Sequence, residues 1–201
     1  MLKTDSSKEQ RFLFAMKHKL PKQTQADLVA RKVRFMDSDI SHTANISEAG
    51  GIYDLLRSIN DKVVGISDFD SNKLEPGVNA GIGRIKLGYG KAATAGKPTA
   101  DSINYSSDIS VFPVELLRAK LIVKQDNKTL CRLPVERFTH GAKSQKVQGE
   151  EDVLHLNTPI LLVESKPVEI QLEFNPGAGI TAGDDTHFIQ VRLMGTETAA
   201  R

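Results

Sequence analysis

The chain has 201 residues, 39% of them hydrophobic and 26% charged, with a net charge of +2. This length suits one domain with a sizeable core, or one domain plus an arm, and the balance is neither that of a disordered chain nor that of a membrane-spanning one. A single cysteine, Cys131, excludes an internal disulfide framework, and no tryptophan with only 5% aromatics leaves little from which to build stacking platforms.

No apolar run approaches the roughly 20 residues of a membrane span. "RFLFAMKHKL" is too short and too interrupted by charge to be the apolar core of a secretory signal. The distribution of charge says more than its sum. Residues 1–36 hold nine Lys/Arg against three acids, net +6, which leaves the rest of the chain at −4. A basic arm on a mildly acidic body points either to a polyanionic partner, nucleic acid or an anionic membrane surface, or to a solvated helical face.

In chain order, "KEQRFLFAMKHK" (8–19) predicts a short helix with Phe12, Ala15 and Met16 on one side, ended by Pro21. "LVARKVRF" (28–35) reads as a strand with Val29, Arg31, Val33 and Phe35 on one face. "GGIYDLLRSINDKVVGI" (50–66) places Ile52, Leu55, Leu56 and Ile59 at helical spacing, predicting a short helix and then a strand. From 67 to 110 small and polar residues dominate, and only "GIGRIKLGYG" has strand character.

The last ninety residues carry a different pattern. "ELLRAKLIVK" and "KTLCRLPVERF" flank "QDN" as a hairpin. "VLHLNTPILLVE" (153–164) comes next. In "KPVEIQLEFN" (166–175), Val168, Ile170, Leu172 and Phe174 oppose Glu169, Gln171 and Glu173. "THFIQVRLMG" (186–195) alternates again, His187, Ile189, Val191 and Leu193 against Phe188, Gln190, Arg192 and Met194. Five or more alternating strands without a strand–helix–strand rhythm predict an all-β antiparallel β-sandwich.

"LGYGKAATAGKPTAD" (87–101) is not a phosphate loop. Five residues rather than four separate Gly90 from Gly96, Pro98 comes directly after Lys97, and no helix pattern continues. It reads as a flexible surface loop. "GIGRIK" fails the dinucleotide fingerprint, because Lys86 stands where the third glycine is needed. His155 and His187 lie in strands that would form a two-histidine site if they were neighbours, with ordinary sheet histidines as the plainer reading. "GDD" (183–185) is either a cation-chelating rim or, preferably, a turn opening the last strand. Cys131 reads as a half-buried strand thiol. The acid pairs "DSD" (37–39) and "EED" (150–152) sit in polar stretches that do not suggest burial. No catalytic constellation, metal site or cofactor is expected. "NIS", "NYS" and "NKT", starting at Asn45, Asn104 and Asn127, match the glycosylation pattern but are discounted without a signal segment.

The succession of "LIVKQDNKTLCRLPVERF", "NTPILLVESKPVEIQLEF", a glycine-rich loop and "HFIQVRLMGTETAAR" resembles the closing strands of jelly-roll capsid proteins of tailless, membrane-containing icosahedral bacteriophages. The resemblance covers residues 111–201, is one of strand order and texture, and rests on no diagnostic motif. It implies a single jelly roll over 28–201, with a long loop region about 67–110, behind a basic arm or short helix at 1–27. It also implies a non-enzymatic virion protein (shell, penton or minor capsid), made in the host cytoplasm and self-assembling into a symmetric homo-oligomer with other capsid proteins. Lys17, Lys19, Lys22, Arg31, Lys32 and Arg34 are the expected contacts to genome or inner membrane surface. The alternatives are a carbohydrate-binding or adhesin-like sandwich, which the missing tryptophan disfavours, and an enzyme on a cupin-like barrel, which needs clustered histidines and a carboxylate.

Overall fold

A computed structural model describes residues 7–57, 61–141, 153–181 and 183–200. Two short helices, α1 (Lys8–Ala15) and α2 (Lys22–Val29), precede strands β1 (Val33–Asn45), β2 (Ile52–Asp54) and β3 (Ala80–Ala93). A one-turn helix α3 (Val114–Leu117) leads into β4 (Lys120–Gln125), β5 (Lys128–Pro134), β6 (Leu154–Leu162), β7 (Val168–Glu173) and β8 (Asp185–Ala200). The strands form two four-stranded sheets, β1-β8-β3-β6 and β2-β7-β4-β5, with every neighbouring pair antiparallel. The fold is therefore an all-β antiparallel sandwich.

The period-two pattern explains which faces meet. Ile170 and Leu172 of β7 and Leu121 and Val123 of β4 are fully buried, as are Ile82, Ile85 and Leu87 of β3 and Ile189 and Leu193 of β8. Burying each such side chain contributes about 1.5–3 kcal/mol. On the outer face of the β2-β7-β4-β5 sheet, the buried pair Ile122 and Gln171 is flanked by charged pairs. There Arg132 forks onto Glu173 at 2.6 and 2.7 Å, and Lys124 faces Glu169, its register partner, at 3.7 Å. The β4–β5 turn falls on Asp126 and Asn127, both left-handed (φ 54° and 60°), as a tight hairpin requires.

Four sequence expectations need correction. Residues 50–66 contain no helix among those described: Ile52–Asp54 is a strand, and Leu55 and Leu56 are both buried in the turn after it, where both amides donate to the Ile170 carbonyl. Their helix-like spacing comes from a turn pinned to the core. The strand expected after them is also absent, since Ile66 N–H bonds back to the Val63 carbonyl in a turn; Ile59 lies outside the described residues. The first long strand starts at Val33 rather than Leu28, because α2 runs to Val29 and its end is closed by Arg31 in a left-handed conformation (φ 56°). There Lys32 N–H reaches the Asp27 carbonyl (2.8 Å) and Arg31 N–H the Leu28 carbonyl (3.2 Å), the paired bonds of a Schellman ending.

The largest correction concerns 67–110. Residues 80–93 are β3, a central strand pairing β8 on one side and β6 on the other. Thus "LGYGKAA" is core strand rather than surface loop, with Leu87 and Tyr89 buried; loop and short 3₁₀ turns begin only at Thr94. The strand character of "GIGRIKLGYG" is borne out, and the strand runs on to Ala93; its glycines are what give 87–93 the texture of a loop. They are needed because other segments lie against its outer face. A methyl group on Gly83 would overlap the Glu9 side chain and one on Gly88 or Gly90 the strap Ile103–Tyr105, while one on Gly81 would press on α1 at 3.3 Å from the Glu9 carbonyl oxygen. Tyr89 and Ser106 exchange backbone hydrogen bonds at 2.9 Å each, so the strap is tied to the strand it covers. Gly90→Val would overlap the Ile103 side chain and crowd the Asn104 carbonyl. It is expected to cost about 1–3 kcal/mol and to raise hydrogen exchange across 99–108. Wild-type protection there would contradict this packing.

Candidate polyanion-binding surface

From Ser7 onward the basic segment forms short helices docked on the body rather than a free arm. Ser7 caps α1 by accepting from Gln10 N–H (3.1 Å), and Leu13, fully buried, seats the helix on the outer face of the β1-β8-β3-β6 sheet beside Gly81. Lys8 extends this docking by donating from Nζ to the Leu156 and Asn157 carbonyls (3.2 and 3.1 Å) on the edge strand β6. After Pro21, α2 is held through buried Thr24, whose hydroxyl donates to Glu164 Oε1 at 2.9 Å. Glu164 also receives the Gly77 N–H, so one carboxylate ties α2 to the turn before β3. Leu13→Ala is expected to cost about 2–4 kcal/mol, with proteolysis appearing first in residues 8–20. Uniform destabilisation with an intact α1 would contradict local docking.

Lys17, Lys19, Lys22, Arg31, Lys32 and Arg34 lie on the outer surface, in the 3₁₀ turn 17–19, at the start of α2, in its closing turn and on the first residues of β1. None of the six forms an ion pair among the described residues. The two described acids of this segment, Glu9 and Asp27, are half-buried. The Glu9 carboxylate lies against Gly83, and Asp27 accepts from Gln23 Nε2 at 3.0 Å while lining a cavity of about 570 Å³ between α2 and the body. The six cations are thus more exposed than the two described acids among them.

The other sequence candidates are dispersed. β6 and β8 flank β3 on opposite sides, with His155 opposite Arg84 and His187 opposite Lys91, so the two histidines do not meet. His187 Nδ1 instead lies 2.6 Å from the buried Tyr89 hydroxyl. Burial pushes the Tyr89 phenol up to about 12, and burial lowers His187. Asp185 of "GDD" opens β8 and binds Lys91 at 2.6 Å, which lowers its carboxyl, so the motif serves as the turn before the strand. Burial raises the Cys131 thiol, the reverse of an activated nucleophile. "DSD" is part of β1 rather than a loop, Asp39 pairing with Arg192, and "EED" lies outside the described residues. Among the described residues no group of three or more His, Cys, Asp or Glu could hold a metal ion.

Sequence reasoning missed His42. It is 1% exposed on β1, with Nε2 donating to the Leu55 carbonyl at 2.9 Å and Nδ1 3.0 Å from the Ser67 hydroxyl. A carbonyl can only accept, so Nε2 carries the proton, and in the neutral ring Nδ1 accepts from Ser67. Burial lowers its pKa from the usual 6.5. Alternation within "ISHTA" was the only available signal. A cavity of about 850 Å³ opens among the loops at one end of the sandwich, between Glu48, Gly50, Val114, Arg118 and Pro176. Its described walls carry no aromatic ring on which a sugar would stack.

Comparison with known protein families, with curated proteins and with solved structures finds no match to this chain.

Proposed function

We propose that this chain is a structural subunit of a virion, a single jelly roll that works by self-association with copies of itself and with other capsid proteins. It is made in the host cytoplasm and acts without catalysis. The observation that carries the reading is the pairing of strands. β1 pairs with β8, β2 with β7, β3 with β6 and β4 with β5, as though one long hairpin closed at Asp126–Asn127 had been wound into two sheets. Winding such a hairpin gives the jelly-roll order, and this strand order supports that assignment.

Exposed apolar side chains support self-association. Ile52 (68% exposed), Val111 and Val114 (54%) border the loop end of the sandwich, and Val64 (93%) projects from the turn after β2. Closed symmetric assembly buries such patches. The outward-facing cations of residues 17–34 attach the subunit to a polyanion. Negative-stain imaging of the purified chain at low and high salt tests the reading. Rings, pentamers or shells support it; isolated 22.0 kDa particles at every concentration and salt overturn it.

A further inference from the structure

We propose that the N-terminal face, residues 11–34, docks on an anionic lipid bilayer rather than on nucleic acid, which names the polyanion left open in the proposed function and rests on that reading of the basic segment. Large apolar side chains stand exposed among the cations. On α1, Arg11 and Phe14 lie at i and i+3 and are both exposed, away from buried Leu13, and the exposed Lys17 and His18 follow in the 3₁₀ turn. Phe14 is 55% exposed, with the Lys17 ammonium 4.9 Å from its ring centroid. On α2, Lys22 and Val29 lie two turns apart on one side, and Val29 is 81% exposed just before Arg31 and Lys32. Each short helix thus presents an outward stripe of one large apolar side chain between cations.

This combination has a definite preference. A phosphodiester backbone is satisfied by cations and hydrogen-bond donors alone, and an aliphatic Val29 offers a base neither a stacking face nor a hydrogen bond. An anionic bilayer uses both parts: headgroups attract the cations while Phe14 and Val29 enter the acyl boundary. Glu9, laid against Gly83, and Asp27, bound to Gln23, are each half-buried, which weakens their repulsion of such a surface. Seating by Leu13 and Thr24 leaves these stripes outside without requiring the helices to detach.

Full-length protein would be mixed with vesicles of phosphatidylglycerol and phosphatidylcholine, with vesicles of phosphatidylcholine alone, and with random duplex DNA, at low and moderate salt. The comparison is wild type against Phe14→Ser/Val29→Ser, which leaves the charge unchanged and alters only exposed side chains; matched melting curves verify its fold. Binding to the anionic vesicles, little to the neutral ones, and a loss of about tenfold in the double variant with DNA retention unchanged are the expected results. Equal vesicle binding by wild type and variant, or retention on DNA without vesicle binding, would overturn the proposal. Its failure is separable from that of the assembly reading, because vesicle binding is scored whether the protein is monomeric or assembled.

Discussion

Gly195→Ala is expected to be among the most damaging single substitutions in the chain, destabilising it by more than about 3 kcal/mol and lowering its melting temperature by roughly ten degrees. Gly195 sits in β8 opposite Ile82, at the point where β3 slips register between Ile82 and Arg84. A methyl group there would overlap the Gly81 carbonyl oxygen and come within 3.0 Å of Ile82 Cα. Both are backbone of the central strand, so no rotamer change relieves the clash, and the two middle strands of the sheet would have to part. The loss would be a large share of the roughly 5–15 kcal/mol typical of a folded domain. Gly96→Ala is the matched control: its added carbon meets nothing within 4 Å, and the effect should stay within about 0.5 kcal/mol. Thermal melts of the two variants side by side decide the point, and equal melting temperatures would contradict the described register.

The second large effect depends on pH. His42 is buried, neutral and held through both ring nitrogens, and its folded-state pKa lies below 6.5. Below pH 6.5 the unfolded chain binds a proton that the folded chain refuses. The stabilising contribution is therefore complete above that pH and declines as pH falls toward the folded-state value, with a slope approaching about 1.4 kcal/mol per pH unit. His187 is also lowered, so the quantity to read is the difference between wild type and His42→Gln, whose side-chain amide can still donate to Leu55. Denaturant titrations between about pH 4.5 and 7.5 should show a shallower decline in the variant. Parallel curves would mean that His42 does not control this acid sensitivity. Protonation would act on the clasp between β1 and the segment after β2, because Ser67 meets His42 there and Asp68 binds Ser41 through N–H and hydroxyl at 2.7 and 2.9 Å.

The legibility of these features in the sequence depends on the demands each residue has to satisfy. β7 is plain because Val168, Ile170, Leu172 and Phe174 all face the core while Glu169, Gln171 and Glu173 take the opposite face, although Gln171 is itself covered there. β8 was plain for the same reason, though its run continues to Ala200, past the apolar stretch, where Thr198 satisfies the buried Asn79 amide instead of adding apolar surface. β3 was obscured because both its faces are covered, and its outer face needs glycine where α1 and the strap at 103–106 approach. Of the glycines in "LGYGKAATAGKPTAD", Gly88 and Gly90 are packing residues, whereas Gly96 has open space around it. β2 was lost because it is three residues long and has one neighbour, β7. The basic face was legible as composition. That Glu9 and Asp27 are half-buried while cations and isolated apolar groups stay exposed depends on the docking of α1 and α2, which periodicity over eight-residue helices could not give.

Sedimentation velocity on the full-length chain, from micromolar to the highest soluble concentration at low and high salt, tests the central claim of self-association most directly. The reading predicts a discrete, concentration-dependent species of several subunits or larger, weakened by substituting Val114→Asp at the exposed loop end. A single 22.0 kDa species across the whole range would contradict it.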